Sequence, residues 1–128
     1  MIIYQTMIPL NPKTKKNNQQ ILKNHSTGKY FIAQNSAYKQ YEKDAGWFLK
    51  SRNLPINQPV NVKCLFYRKN EIRCDLTNLL EAIDDILVKY KVLADDNFKI
   101  IAGHDGSRVL IDKDHPRTEI VIEDITDV

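Results

Sequence analysis

Asp75 stands directly before a run whose apolar residues recur at helical spacing, and the paired carboxylates Asp95-Asp96 follow that run after Val92-Leu93. Each feature has an ordinary use. An aspartate at a helix start can cap it by accepting a backbone N–H. Adjacent aspartates repel, so a loop that keeps both exposes them to solvent or gives them a cation. Taken together, the two clusters point to chemistry. A helix of about four turns with short connections can fold its flanking loops against one sheet edge and bring Asp75 to Asp96. Hard oxygen donors in such a cleft suit Mg²⁺, which takes one or two carboxylates, keeps several waters and completes its shell with substrate phosphate. A site of this kind hydrolyses phosphodiesters by activating water and stabilising charge on the scissile phosphate.

Other chemistries find little support. Asp112-Lys113-Asp114 followed by Glu123 imitates part of a calcium loop, yet Arg117 occupies the position that demands glycine and Pro116 interrupts the segment. His25, His104 and His115 are dispersed, and two cysteines offer no zinc spacing. Neither a P-loop nor a nucleophile elbow occurs. His104, beside Asp105, could orient water or phosphate near the turn, against the plainer reading of a surface histidine in a turn.

The elements that must position these residues follow from periodicity. Residues 2–9 alternate apolar and polar side chains and end at Pro9, Asn11 and Pro12, which predicts a strand closed by a loop. Residues 12–35 are polar without a sustained period and read as a long basic loop, with at most a short strand at Tyr30-Phe31-Ile32. A loop of that length in a compact domain is functional or disordered. Ser36 can cap a helix in which Tyr38, Tyr41, Ala45, Phe48 and Leu49 recur, ending near Leu54-Pro55. In residues 59–68, Val60, Val62, Cys64 and Phe66 alternate with polar or larger neighbours, the pattern of a half-buried strand. Leu76, Leu79, Leu80, Ile83, Ile86, Leu87 and Tyr90 gather on one side of the next helix, with Asn78, Glu81 and Asp85 opposite. Asp105-Gly106 then predicts a hairpin between strands at Ile100-Ile101 and Val109-Leu110-Ile111. A final strand over residues 119–125 completes one α+β domain, residues 1–128, with a mixed sheet and two main helices.

Composition agrees with one core. The chain has 128 residues, 42% hydrophobic and 27% charged, enough for a single domain and too few for two ordinary ones. No apolar run spans a bilayer, and the start lacks an export signal, so a soluble cytoplasmic protein with reduced Cys64 and Cys74 is expected. The net charge is only +3, but residues 11–43 carry seven lysines opposed by Glu42 alone, a local balance of +6. Lys13, Lys15, Lys16, Lys23 and Lys29 are therefore candidate contacts to a polyanion, against the plain alternative of a solvated loop. After Thr118 the balance reverses, with Glu119, Glu123, Asp124 and Asp127 and no basic residue.

The run Asp75-Leu76-Thr77-Asn78-Leu79, then Ala82 and Asp85, then Val92-Leu93-Ala94-Asp95-Asp96, resembles the RusA-like Holliday junction resolvases. Their pattern is D-x-D-N-L, a helix aspartate and a later Asp-Asp pair. Pro9-Leu10-Asn11-Pro12 and Pro116 extend the likeness over most of the chain. The resemblance implies a homodimeric endodeoxyribonuclease, dependent on Mg²⁺ with Mn²⁺ as a substitute, that nicks two opposed strands of four-way DNA junctions in recombination and repair. Such enzymes are often carried by phages or prophages. It assigns Asp75 and Asp96 as metal ligands, with Asp95 adjacent and Asp85 at the helix aspartate.

Two positions depart from the pattern. Thr77 replaces a metal-binding aspartate, and Glu81 replaces a lysine that handles phosphate. One reading is compensation, in which Glu81, one turn from Thr77, supplies the missing carboxylate as a catalytic residue and Lys15 or Lys16 supplies the cation. The other is a junction-binding accessory protein without chemistry. A regulatory protein-interaction domain would leave the basic segment and the paired aspartates unexplained.

Overall fold

The computed structural model describes residues 1–15, 19–34, 36–49 and 55–125, the backbone alone being described over 19–22 and 31–34. Its elements are β1 (Ile2–Ile8), β2 (Gln19–Lys23), β3 (Tyr30–Gln34), α1 (Ser36–Ala45) with a 3-10 turn over Gly46–Phe48, β4 (Val60–Arg68), α2 (Leu76–Lys89), β5 (Ile101–Gly103), β6 (Arg108–Ile111) and β7 (Arg117–Asp124). This is an α+β fold with a mixed five-stranded sheet and two main helices.

The sheet is built on β4. Its residues alternate buried and half-buried, and those of β7 do the same, because one face of the sheet is sealed and the other is only partly covered. Along one edge β4 pairs antiparallel with β7, which in turn pairs with β1. Along the other it pairs with β5 and β6, both parallel to it. A parallel neighbour demands a crossover, and α2 is that crossover. Its apolar stripe, Leu79, Ala82, Ile83, Ile86 and Leu87, joins Val60, Val62, Cys64 and Phe66 of β4 and Ile120 and Ile122 of β7 in one core. Tyr38, Tyr41 and Ala45 bring α1 into the same cluster. Cys64 lies fully inside it, where burial pushes its thiol up, and both cysteines are free.

Three expectations need correction, the first being the length of α1, which ends at Ala45 and passes into a 3-10 turn that takes up Phe48, while residues 50–54 lie outside the described residues. The segment 12–35 is no simple loop, since β2 and β3 form a separate antiparallel sheet that pairs only with itself, and the turn between them uses Gly28 at φ 73°. Nor do β5 and β6 form a hairpin. They lie end to end along the same edge of β4, and from the Asn61–Gly103 pair to the Leu65–Arg108 pair β4 advances four positions while the edge advances five. One residue is looped out. Gly106 supplies the positive φ, 86°, that the Asp-Gly step signals, but the chain does not reverse. A side chain of β4 and one of the looped-out segment itself close the gap instead. The Asn61 amide accepts from the Asp105 N–H at 2.8 Å and donates to the Asp105 carbonyl at 3.1 Å, while the Ser107 hydroxyl oxygen accepts from the Cys64 N–H at 3.0 Å.

Candidate active site

The polar side of α2 forms one wall of an open cleft of about 300 Å³ lined by Thr77, Leu80, Glu81, Asp84, Asp85, Asp96 and His104. Thr77, Glu81 and the Asp84-Asp85 pair follow one another by three or four residues, so a single helical stripe presents them together. Asp96 reaches the cleft from the loop after α2. That loop is anchored by Ile56, whose N–H donates to the Val92 carbonyl at 2.9 Å and whose carbonyl accepts from the Ala94 N–H at 2.9 Å. Lys91, at φ 61°, turns the chain out of the helix just before this clamp. His104 comes from the looped-out edge of the sheet.

The structure thus gathers Glu81, Asp85 and Asp96 and leaves two expected residues elsewhere. Asp75 sits at the N-cap of α2, yet its side chain makes no cap hydrogen bond, and it is not among the cleft-lining residues. Helix capping does not account for it. Asp95 spends both carboxylate oxygens locally: one accepts from the Asp96 N–H at 2.7 Å, the other from the Asn97 side-chain amide at 3.1 Å. It shapes the turn that presents Asp96.

Sequence reading missed Asp84 and set His104 aside as a surface histidine. His104 is no surface turn histidine, because its Nε2 lies 3.0 and 2.9 Å from the two oxygens of Asp84. Burial holds the Asp84 carboxyl above its ordinary value, opposed by the bond and charge of His104 and reinforced by the charges of Asp96 and Asp85. The signal for Asp84 was present in the spacing, seven residues beyond Thr77 and hence two turns along the same stripe. No spacing signals His104, which depends on the looped-out residue.

The lysines separate into three groups. Lys15 forms an ion pair with Asp85 at the rim of the cleft. Lys13 lines a second groove, of about 360 Å³, with Asn11, Thr14, Arg68, Lys69 and Arg73. No carboxylate lines this groove, and the Asn11 side-chain oxygen pins it by accepting from the Lys69 N–H at 2.9 Å. Lys23 and Lys29 lie exposed on the β2–β3 hairpin, the Lys23 ammonium 5.7 Å from the centre of the Tyr30 ring. Lys16 lies outside the described residues. Arg68, Lys69 and Arg73 extend the cationic surface to the loop immediately before Asp75, so Asp75 stands in the chain between the basic groove and the acidic cleft.

The carboxyl groups of the cleft are hard oxygen donors of the kind a divalent ion takes. Among the described residues no group of three or more His, Cys, Asp or Glu side chains is placed to hold a metal ion. Mg²⁺ does not require such a group, since one or two carboxylates with waters and substrate phosphate suffice, and the cleft offers hard carboxylate oxygens of that kind. Concentrated like charge in a half-buried cleft also favours a cation there.

A family model described as endodeoxyribonuclease RusA matches residues 9–123. The chain belongs to that family. No curated protein matches it. The RusA match contains both the cleft and the basic groove, so acidic and cationic surfaces fall within one nuclease family domain. Among the described residues no helix is long and apolar enough to cross a membrane.

Proposed function

We propose that this RusA-family chain is a divalent-metal-dependent endodeoxyribonuclease that resolves four-way DNA junctions, as a homodimer making two opposed nicks. The observation that carries the reading is the adjacency along the chain of a carboxylate cleft and a groove lined by four cations and no acid, joined at Asp75. A phosphodiester substrate needs both. Lys13, Arg68, Lys69 and Arg73 hold backbone phosphates by charge, which fixes the position of the strand without reading its sequence. Of the residues expected to hold Mg²⁺ or Mn²⁺, Asp85 and Asp96 line the cleft and Asp75 stands at the N-cap of α2 outside that lining, and a bound ion would supply Lewis-acid stabilisation of charge on the phosphate. Lys15 offsets the charge of Asp85 and brings a cation to the rim where Glu81 stands in place of a lysine. Two symmetric sites suit a substrate with two-fold symmetry.

A neutral Thr77 and an acidic Glu81 in the cleft favour a second reading, a junction-binding protein without chemistry. One experiment separates the two: a labelled four-way junction incubated with Mg²⁺ or Mn²⁺ and the native chain, Asp75→Asn or Asp96→Asn, with binding followed in the same samples. Paired nicks by the native chain, lost in both variants while binding persists, are expected. Binding without nicks under either metal would establish the accessory reading, and salt-insensitive or absent binding would remove DNA altogether.

A further inference from the structure

We propose that His104, oriented by Asp84, is the base that takes the proton from the attacking water in this cleft. The inference rests on the nuclease reading and assigns a step within it. Three observations carry it.

The first is placement. A residue looped out of a sheet edge re-aims side chains, and such features gather beside active sites. Here the displaced segment is held from both ends, by the paired hydrogen bonds of Asn61 to Asp105 and by Ser107 against Cys64. Its backbone is closed further by the Ser107 N–H donating to the His104 carbonyl at 3.1 Å. This buttressing turns His104 toward α2.

The second is orientation. Nε2 lies within hydrogen-bond distance of both Asp84 oxygens, so the carboxyl group holds that edge of the ring and leaves Nδ1 outside the contact. Nδ1 meets no protein partner among the described residues. A carboxylate that fixes the ring and tautomer of a histidine, leaving the second nitrogen to accept a proton, is the geometry of an oriented general base.

The third is the remainder of the cleft wall. Thr77 is neutral and Leu80 apolar; Asp85 is engaged by Lys15. An imidazole nitrogen is the side-chain group most often positioned to take a proton from a reacting water, and His104 is the imidazole of this cleft. Glu81, Asp85 and Asp96 share the cleft with the dyad, and Lys15 reaches its rim through Asp85, so the other charged groups lining the cleft are carboxyl groups and none is a second imidazole.

The step balances without a further reagent. As the water oxygen bonds to phosphorus, its proton passes to His104 Nδ1. The bond from phosphorus to the leaving sugar oxygen breaks, that oxygen takes the electron pair and then a proton from solvent, and His104 returns its proton to solvent. Asp84 is a positioning residue throughout.

The test uses the full chain and a labelled four-way junction with Mg²⁺ or Mn²⁺. His104→Ala should lower kcat about 100-fold with KM and junction affinity within about twofold of native. Added imidazole should restore nicking to that variant, and methylated imidazoles should restore it in order of their basicity. His104→Gln, which keeps a polar side chain of similar reach, should fail like His104→Ala, and Asp84→Asn should lose rate without a change in junction affinity. Native-like nicking by His104→Ala overturns the proposal. So does a loss that imidazole leaves untouched, since a merely structural residue would behave that way. A native chain that binds junctions and never nicks them overturns the nuclease reading and this step with it, a result distinguishable because it appears without any substitution.

Discussion

Lys15 and Asp85, seventy positions apart in the chain, meet in one ion pair at the rim of the acidic cleft. The contact ties the basic N-terminal segment to the polar face of α2. Both side chains are about one-third exposed or slightly less, at 27% and 32%, so solvent screens the pair and its energetic weight is small. A double-mutant cycle with Lys15→Met and Asp85→Asn, followed by urea unfolding, should give a coupling of about 0.5 kcal/mol. A value near 3 kcal/mol would mean that the pair is buried in solution.

The basic groove makes a separate prediction. Replacing Lys69 and Arg73 together by alanine should weaken junction binding at low salt and reduce the slope of log affinity against log salt by about 2. The same pair of changes should act alike on junctions of different base sequence, because phosphate contacts position and do not specify. An unchanged slope would take the groove out of the DNA interface.

Gly46, where α1 passes into its 3-10 turn, has no room for a side chain. A Cβ there would overlap the ring of Tyr90, the half-buried residue that caps the C-terminus of α2. Gly46→Ala should destabilise the fold by about 1 to 3 kcal/mol through that crowding. In a Tyr90→Ala background the same substitution should cost much less, and equal costs in the two backgrounds would show that the ring is not what excludes the methyl group.

Arg117 predicts an acid limb. It donates to Asp112 at 2.9 Å and to Glu119 at 2.7 Å while lying 3.7 Å from the centre of the Tyr67 ring. Its hydrogen bond, aided by the His115 N–H, holds the Asp112 carboxyl below its ordinary value. The folded state therefore favours ionised Asp112, and the stability this contributes is present above the ordinary carboxylate range and disappears as pH falls through the lowered value. Asp112→Asn should lower stability at pH 6 and converge on the native chain near pH 2, as read from urea midpoints. A constant difference between the two proteins across that range would contradict the assignment.

How much of this was readable beforehand depends on what fixes each element. The apolar stripe of α2 and the alternation of β4 are set by burial against one core, so period alone located them, and the stripe carried Glu81 and Asp85 to the correct side. Asp96 was legible because a short loop must return from the helix to the sheet. Tyr30-Phe31-Ile32 already allowed the strand that became β3, but β2 and the pairing of the two were hidden because they pair with each other alone and their segment shows no sustained apolar period. The direction of β5 and β6 was hidden for another reason. An Asp-Gly step reports a local backbone angle, whereas the path of the chain is decided by Asn61 and Ser107. His104 inherits that ambiguity, so its partnership with Asp84 could not be read from spacing.

The position of β7 bears on how the chain is made. It lies between β1 and β4 and pairs with both, although it is the last strand in sequence. During vectorial synthesis β1 and β4 must wait with unpaired edges until residues 117–124 emerge, and open edges are the surfaces on which nascent chains mispair. The late strand therefore sets the moment of commitment: before it the helices have no completed sheet to cover, and after it the whole sheet can close in one event.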